Sequence, residues 1–141
     1  MTATSAWAGP IPRPSAVSQP YWDGAKQHRL VIQRSQKTGA YVFYPRAVSP
    51  FGADDTLEWV EVSGRGHVHA CAIARTPTAA HLGVDGPYVI AIVQLEEGPH
   101  MTANIIDCDP ETIHPGTPVE AAYIPITEEI TLVQFRPAAV G

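Results

Sequence analysis

The sequence predicts a mainly β chain: a small closed barrel preceded by a short helix and a hairpin. Three observations carry this. Fourteen prolines in 141 residues, with no long helical periodicity, favour strands joined by many turns. The stretch Leu57–Arg75, LEWVEVSGRGHVHACAIAR, sets two extended runs on either side of Gly64-Arg65-Gly66. In the first run, Trp59–Ser63, Val60 and Val62 face one way and Trp59, Glu61 and Ser63 the other, the two-residue period of a half-buried strand. Glycines inside such a pattern mark a bulge, a coil or a tight turn. A long first strand that bends to pair with two neighbours is what a small barrel needs, so both runs are expected to open the barrel.

Taken in order, Met1–Pro14 carries Pro10, Pro12 and Pro14 and is expected to be an extended arm. Ser18 is placed to cap a helix, Pro20 fits its first turn, and Tyr21, Trp22 and Ala25 give it an apolar face. The helix is expected to stop near His28. Leu30–Gln33 and Tyr41–Tyr44 read as two short strands, joined by Arg34–Gly39, which has hairpin length and turn composition. Ser49-Pro50-Phe51-Gly52 is a further turn, and Asp54-Asp55 leads into the barrel. Thr76–Gly86 reads as a loop. Tyr88–Leu95 (YVIAIVQL) is almost continuously apolar, a central strand; Glu96–Pro99 turns the chain, and His100–Ile106 returns antiparallel. In the polar stretch Asp107–Pro115, Asp109-Pro110-Glu111 suits a single helical turn. Val119–Ile124, the turn Thr127-Glu128-Glu129 and Ile130–Phe135 close the fold. Five or six strands from Trp59 on, with an irregular insertion between the third and fourth long segments, point to an OB-type barrel.

Composition excludes several function classes. A net charge of −5 speaks against a domain that works by neutralising phosphates. Both lysines, Lys26 and Lys37, lie outside the barrel, so the basic, aromatic-studded groove of a single-strand binder is not expected. No apolar run reaches the length of a membrane span, and Met1–Pro14 lacks the basic and apolar regions of a signal peptide. With a cytoplasmic setting expected, Cys71 and Cys108 read as free thiols.

His67, His69 and Cys71 alternate along one strand and are expected to share a face. They read either as a strand-borne metal set, since imidazole and thiolate both suit zinc, or as residues of a solvated or interface face. Gly64-Arg65-Gly66 reads either as a phosphate-facing nest with a guanidinium or as a tight bend. Asp54-Asp55, Glu96-Glu97 and Glu128-Glu129 are expected to be solvated turn residues rather than an acid/base pair. No nucleophile elbow or activated cysteine is present.

Two turns facing each other across a small hairpin are the skeleton of a zinc ribbon. Together with Gln19-Pro20-Tyr21-Trp22, Leu30–Arg34 (LVIQR), Tyr44-Pro45-Arg46, Glu58-Trp59, Val62–Gly66 (VSGRG), Pro87-Tyr88-Val89, Glu97-Gly98, Gly116–Val119 (GTPV) and Phe135-Arg136-Pro137, this order resembles one family. It is the OB-fold proteins with an N-terminal rubredoxin-like zinc ribbon, associated with acyl-CoA metabolism. The likeness runs from about Pro12 to Pro137. Family members carry C-x-x-C-G on the first ribbon turn and C-P-x-C on the second. The matching positions here are Ser35, Thr38, Ser49 and Gly52, with Gly39 and Pro50 kept. Three hydroxyls and a glycine cannot stand in for four thiolates, so a degenerate, metal-free ribbon is expected, with Phe43, Tyr44 and Phe51 filling space near the lost site. The implied organisation is an arm and helix over 1–29, a degenerate ribbon-like hairpin over 30–55 and a five- to six-stranded OB barrel over 56–138.

The resemblance implies a non-catalytic accessory subunit, with no cofactor, that supports a thiolase-superfamily enzyme such as a steroid or acyl-CoA side-chain aldolase. Tyr21, Trp22, Arg65 and His67 are the candidate partner-facing or CoA-proximal residues. The alternatives are a stand-alone OB module binding acyl-CoA or single-stranded nucleic acid, or a subunit of a thiolase-like acyltransferase or MaoC-type hydratase complex.

Overall fold

The structure is a computed structural model and describes residues 11–75 and 87–138; the loop expected over 76–86 and the first ten residues of the expected arm lie outside these. One helix, α1 (Gln19–Lys26), precedes eight strands: β1 (Leu30–Ser35), β2 (Tyr41–Val42), β3 (Leu57–Val62), β4 (Arg65–Ala74), β5 (Tyr88–Leu95), β6 (His100–Ile105), β7 (Pro118–Pro125) and β8 (Thr131–Pro137). Among the described residues no helix is long and apolar enough to cross a membrane.

Pro20 occupies the first turn of α1, but Ser18 makes no side-chain cap; its Oγ instead accepts from the Ser15 amide at 2.9 Å. His28, at a φ of 60°, ends the helix where the sequence placed its stop. The expected helical turn is also present, as a 3₁₀ turn at Pro110–Thr112 whose Glu111 amide is capped by the Asp109 carboxylate.

The strands form two sheets. β2, β1 and β3 make a three-stranded antiparallel sheet, and β4-β5-β6-β8-β7 close into a barrel. β3 pairs with β1 along its whole length, from Leu30 opposite Val62 to Ser35 opposite Leu57. The first run of the Leu57–Arg75 stretch therefore completes the ribbon sheet, and only the second opens the barrel. A single alternating run cannot show which neighbour it will pair with. The bend between them needs its glycines: Gly64 has a φ of 74°. A Cβ on Gly66 would lie 2.2 Å from the Gln94 carbonyl oxygen, so β4 and β5 close on each other there only because residue 66 has no side chain.

The barrel closes narrowly. β6 meets β8 at the parallel pair Ile105–Phe135, reinforced by the Ile106 amide on the Phe135 carbonyl and by the Asn104 amide on Gln134 Oε1 at 2.8 Å. Its interior is Val68, Val89, Val93, Leu95, Val119 and Phe135. That cluster continues without a break into Leu30 and Ile32 of the ribbon sheet and Tyr21 and Ala25 of α1, so helix, ribbon and barrel share one core.

Candidate functional site

The first ribbon turn leaves β1 at the fully buried Ser35. The Thr38 amide donates to Ser35 Oγ at 3.0 Å and the Gly39 amide to the Ser35 carbonyl at 2.9 Å. In the second turn the Phe51 amide donates to Ser49 Oγ at 3.0 Å. Both serine hydroxyls then donate to one oxygen, Oδ2 of Asp55: Ser35 at 2.6 Å and Ser49 in a short bond. The other carboxylate oxygen accepts from the Lys37 amide at 3.0 Å. Beside this group the Gln33 carboxamide clasps Arg46, donating to its carbonyl at 2.8 Å and accepting from its amide at 2.7 Å.

Hydrogen bonds from Ser35 first, then Ser49, with the backbone N–H groups of Lys37 and Thr56, hold the Asp55 carboxyl below the ordinary carboxylate range. The interior between the turns is thus polar and satisfied. Gln33, Ser35 and Ser49 are three of the four buried polar residues described, and none of their side-chain atoms lacks a partner.

This arrangement does not fit a zinc ion. Both serine hydroxyls are occupied as donors and acceptors, Thr38 Oγ1 accepts from the Ala40 amide of its own turn, and Gly52 offers no donor atom. The expected aromatic filling is not what stands there either: Tyr44 and Phe51 are 54% and 46% exposed, while Phe43 packs on Tyr21 and Tyr44. Buried hydroxyls left without metal need an acceptor, which a phenyl ring does not supply. Asp54 is a solvated turn residue as expected, paired with the exposed Lys37. Asp55 is not. In the sequence Asp55 stands six residues beyond Ser49, and only the folded turns bring it between the two hydroxyls.

A second feature is the outer face of β4, β5 and β6. Three rows cross it: His67, Gln94 and His100; Ala70, Ile92 and Thr102; Ala72, Ile90 and Asn104. No Asp, Glu, Lys or Arg stands in these rows, and Ile90 and Ile92 stand 40% and 39% exposed. The expected trio of His67, His69 and Cys71 is broken on this face. The register of β4 shifts between Val68 and Ala70, and such a bulge reverses the side-chain alternation beyond it. His67 and His69 stay outside, whereas Cys71 turns inward, packs against the core and directs Sγ to the Ile113 carbonyl at 3.8 Å. The neighbour of His69 is instead His100, reaching over from β6 with ring centroids 4.6 Å apart. Among the described residues no three metal-binding side chains converge.

The other candidates are scattered. Tyr21 is 9% exposed and part of the chain's own core, and burial, with Tyr123 and Tyr44 nearby, drives its hydroxyl pKa up. Trp22 packs edge-on against it at 5.1 Å and keeps part of its surface exposed. Arg65 is exposed on the bend and pairs with Glu96, Nε donating to Oε2 at 3.3 Å, so its charge already faces an acidic neighbour.

Comparison with known proteins gives likenesses of three kinds. Family models for ChsH2 match twice: its rubredoxin-like zinc ribbon domain over residues 22–48 and its C-terminal OB-fold domain over residues 59–123. A DUF35 domain-containing scaffold protein of Methanothermobacter thermautotrophicus is 38% identical over 109 residues, covering 72% of this chain and 81% of that protein. A probable enoyl-CoA hydratase alpha subunit of Thermomonospora curvata is 34% identical over 118 residues, 84% of this chain. The chain spans only 36% of that subunit's length. Among solved structures, a chain of the Ltp2–ChsH2(DUF35) aldolase superposes with a TM-score of 0.80 at 32% identity, over 92% of this chain and 100% of that one.

Proposed function

This chain belongs to the ChsH2-type DUF35 family, and on that footing we propose that it is a non-catalytic accessory subunit of a thiolase-superfamily enzyme acting on acyl-CoA substrates, in the manner of a side-chain aldolase complex. The observation that carries the reading is the end-to-end likeness to a chain of an aldolase whose very name joins two components. Relatives of similar length are scaffold proteins. The exposed surface supports it too: large apolar side chains stand out at Tyr44 and Val48 between β2 and the second ribbon turn, at Phe51 in that turn and at Ile90 and Ile92 of β5. Apolar and aromatic groups presented on a rigid scaffold are what a subunit interface uses.

A second reading places the same domain beside an enoyl-CoA hydratase rather than an aldolase. It is favoured by the match to the Thermomonospora subunit, in which a domain like this one occupies about a third of the length.

Co-purification tests both. The chain is expressed alone, with a thiolase-like partner, and with a hydratase subunit of the MaoC type. The proposal expects a stoichiometric complex with the thiolase-like partner and loss of that partner's lyase activity without this chain. A complex with the hydratase alone selects the second reading. A partner fully active by itself, or a chain that stays monomeric and binds acyl-CoA or single-stranded nucleic acid unaided, overturns the accessory role.

A further inference from the structure

We infer that Asp55 has taken over the structural task that zinc performs in the ribbons of this family, its carboxylate joining the two turns by accepting from Ser35 and Ser49, the first ligand position of each pair. The geometry inverts the polarity of a metal site. Instead of a cation ringed by four thiolates, there is an anion ringed by donors: the hydroxyls of Ser35 and Ser49 and the Lys37 amide. Each hydroxyl accepts in turn from an amide of its own loop, Thr38 on one side and Phe51 on the other. A continuous path of hydrogen bonds therefore runs from the first turn through the carboxylate to the second.

Something must serve this purpose. The ribbon sheet buries Leu30, Ile32, Val42 and Val62, but the space between the turns is lined by polar groups, and apolar burial cannot hold the turns together there. A charged acceptor receiving several donors is the strong form of hydrogen bond. Removing it would strand two buried hydroxyls, a more costly change than the loss of the bonds alone. The neighbouring Asp54 supplies the contrast: same charge, one residue away, but among the described residues it pairs with the exposed Lys37 side chain and with no buried donor.

The test is amide exchange on the full chain after washing with chelator, with zinc measured in the same sample. Far less than one zinc per chain is expected, with the Lys37, Thr38 and Phe51 amides still protected. Asp55→Ala should speed exchange at these three amides about tenfold, on the scale of one or two lost hydrogen bonds, while Val93 in the barrel keeps its rate. Asp54→Ala should change none of them. Should Asp55→Ala fail to fold, Ser49→Ala removes a single donor and should speed the Phe51 and Thr38 amides by a smaller factor. Stoichiometric zinc whose removal abolishes protection would overturn the inference, as would unchanged ribbon protection in both Asp55→Ala and Ser49→Ala.

Discussion

The Tyr44 hydroxyl accepts a hydrogen bond from the Thr102 backbone amide at 3.0 Å. Tyr44 belongs to the ribbon and Thr102 to β6, a barrel strand whose only ladder pair with β8 is Ile105–Phe135. A strand edge left open is a row of unpaired amides, and here a ribbon side chain satisfies one of them. The segment after β2 is thereby tied to the barrel, with the Tyr44 ring still 54% exposed beside the sheet face that carries Thr102.

Replacing Tyr44 with Phe removes that tie and little else. The expected cost is about 1 kcal/mol, the net worth of one such bond, in chemical denaturation. Exchange at the Thr102 amide should rise while the Val89 and Val93 amides hold their rates.

The Asp55 carboxyl sets a pH dependence. Its folded pKa is depressed by Ser35, Ser49 and the Lys37 and Thr56 amides, so the folded chain binds fewer protons there than the unfolded chain. The stabilisation is present above the unfolded pKa and is lost as pH falls through the folded one, from about pH 5 downward. Exchange at the Thr38 and Phe51 amides, corrected for intrinsic rates, should rise relative to barrel amides between about pH 5 and pH 3. Asp55→Asn should flatten that response.

Gly66→Ala should be among the most damaging single changes in the barrel. The new methyl would meet the Gln94 carbonyl at 2.2 Å, a contact with backbone that no rotamer can relieve, in a strand pair that holds the barrel shut. A loss of about 3 kcal/mol is expected from overpacking of this kind, measured by chemical denaturation. At Gly39, where nothing lies within 4 Å of an added Cβ, the same substitution should cost less, through its φ of 77° alone.

Local signals in the sequence located most elements of this fold and few of the contacts between them. Alternation marked Trp59–Ser63 as a strand, and the Asp109-Pro110 pair marked the 3₁₀ turn, because both depend on neighbours in the chain. Pairing depends on distant residues: nothing in LEWVEV says that its partner is LVIQRS. The bulge near His69 escaped for a related reason. A register shift is invisible to a periodicity count, and one such shift sent Cys71 inward and left His100, thirty-one positions along, beside His69. The lost ligand positions were readable one by one, whereas the role of Asp55 emerges only when Ser35 and Ser49 are seen to converge on it.

Charge distribution makes weak affinity for single-stranded nucleic acid the expected result. The chain is acidic at −5, Lys26 sits on α1 and Lys37 on the first ribbon turn, and the outer face of β4–β6 offers two isoleucines rather than cations. At physiological salt, oligonucleotide titrations followed by fluorescence anisotropy should show no saturable micromolar binding. Tight binding with a steep salt slope would contradict this.

Two substitutions separate the chain's own folding from its contact with a partner. Trp22 is half-buried against Tyr21, so Trp22→Ala should lower the stability of the isolated chain by about 2 kcal/mol, less than a fully buried indole, whether or not it also meets a partner. Ile92 points outward from β5 and is 39% exposed, so Ile92→Asp should leave stability within about 0.5 kcal/mol, as exposed positions usually do. If the uncharged sheet face is the interface, an aspartate at its centre buries an unpaired carboxylate on association. Affinity for the proposed thiolase-like partner, measured by calorimetry, should then fall by about tenfold or more. Loss of binding in Ile92→Asp with stability intact assigns the contact to this face. Undiminished binding there, with loss in Trp22→Ala beyond what its lower stability explains, moves the contact to the helix.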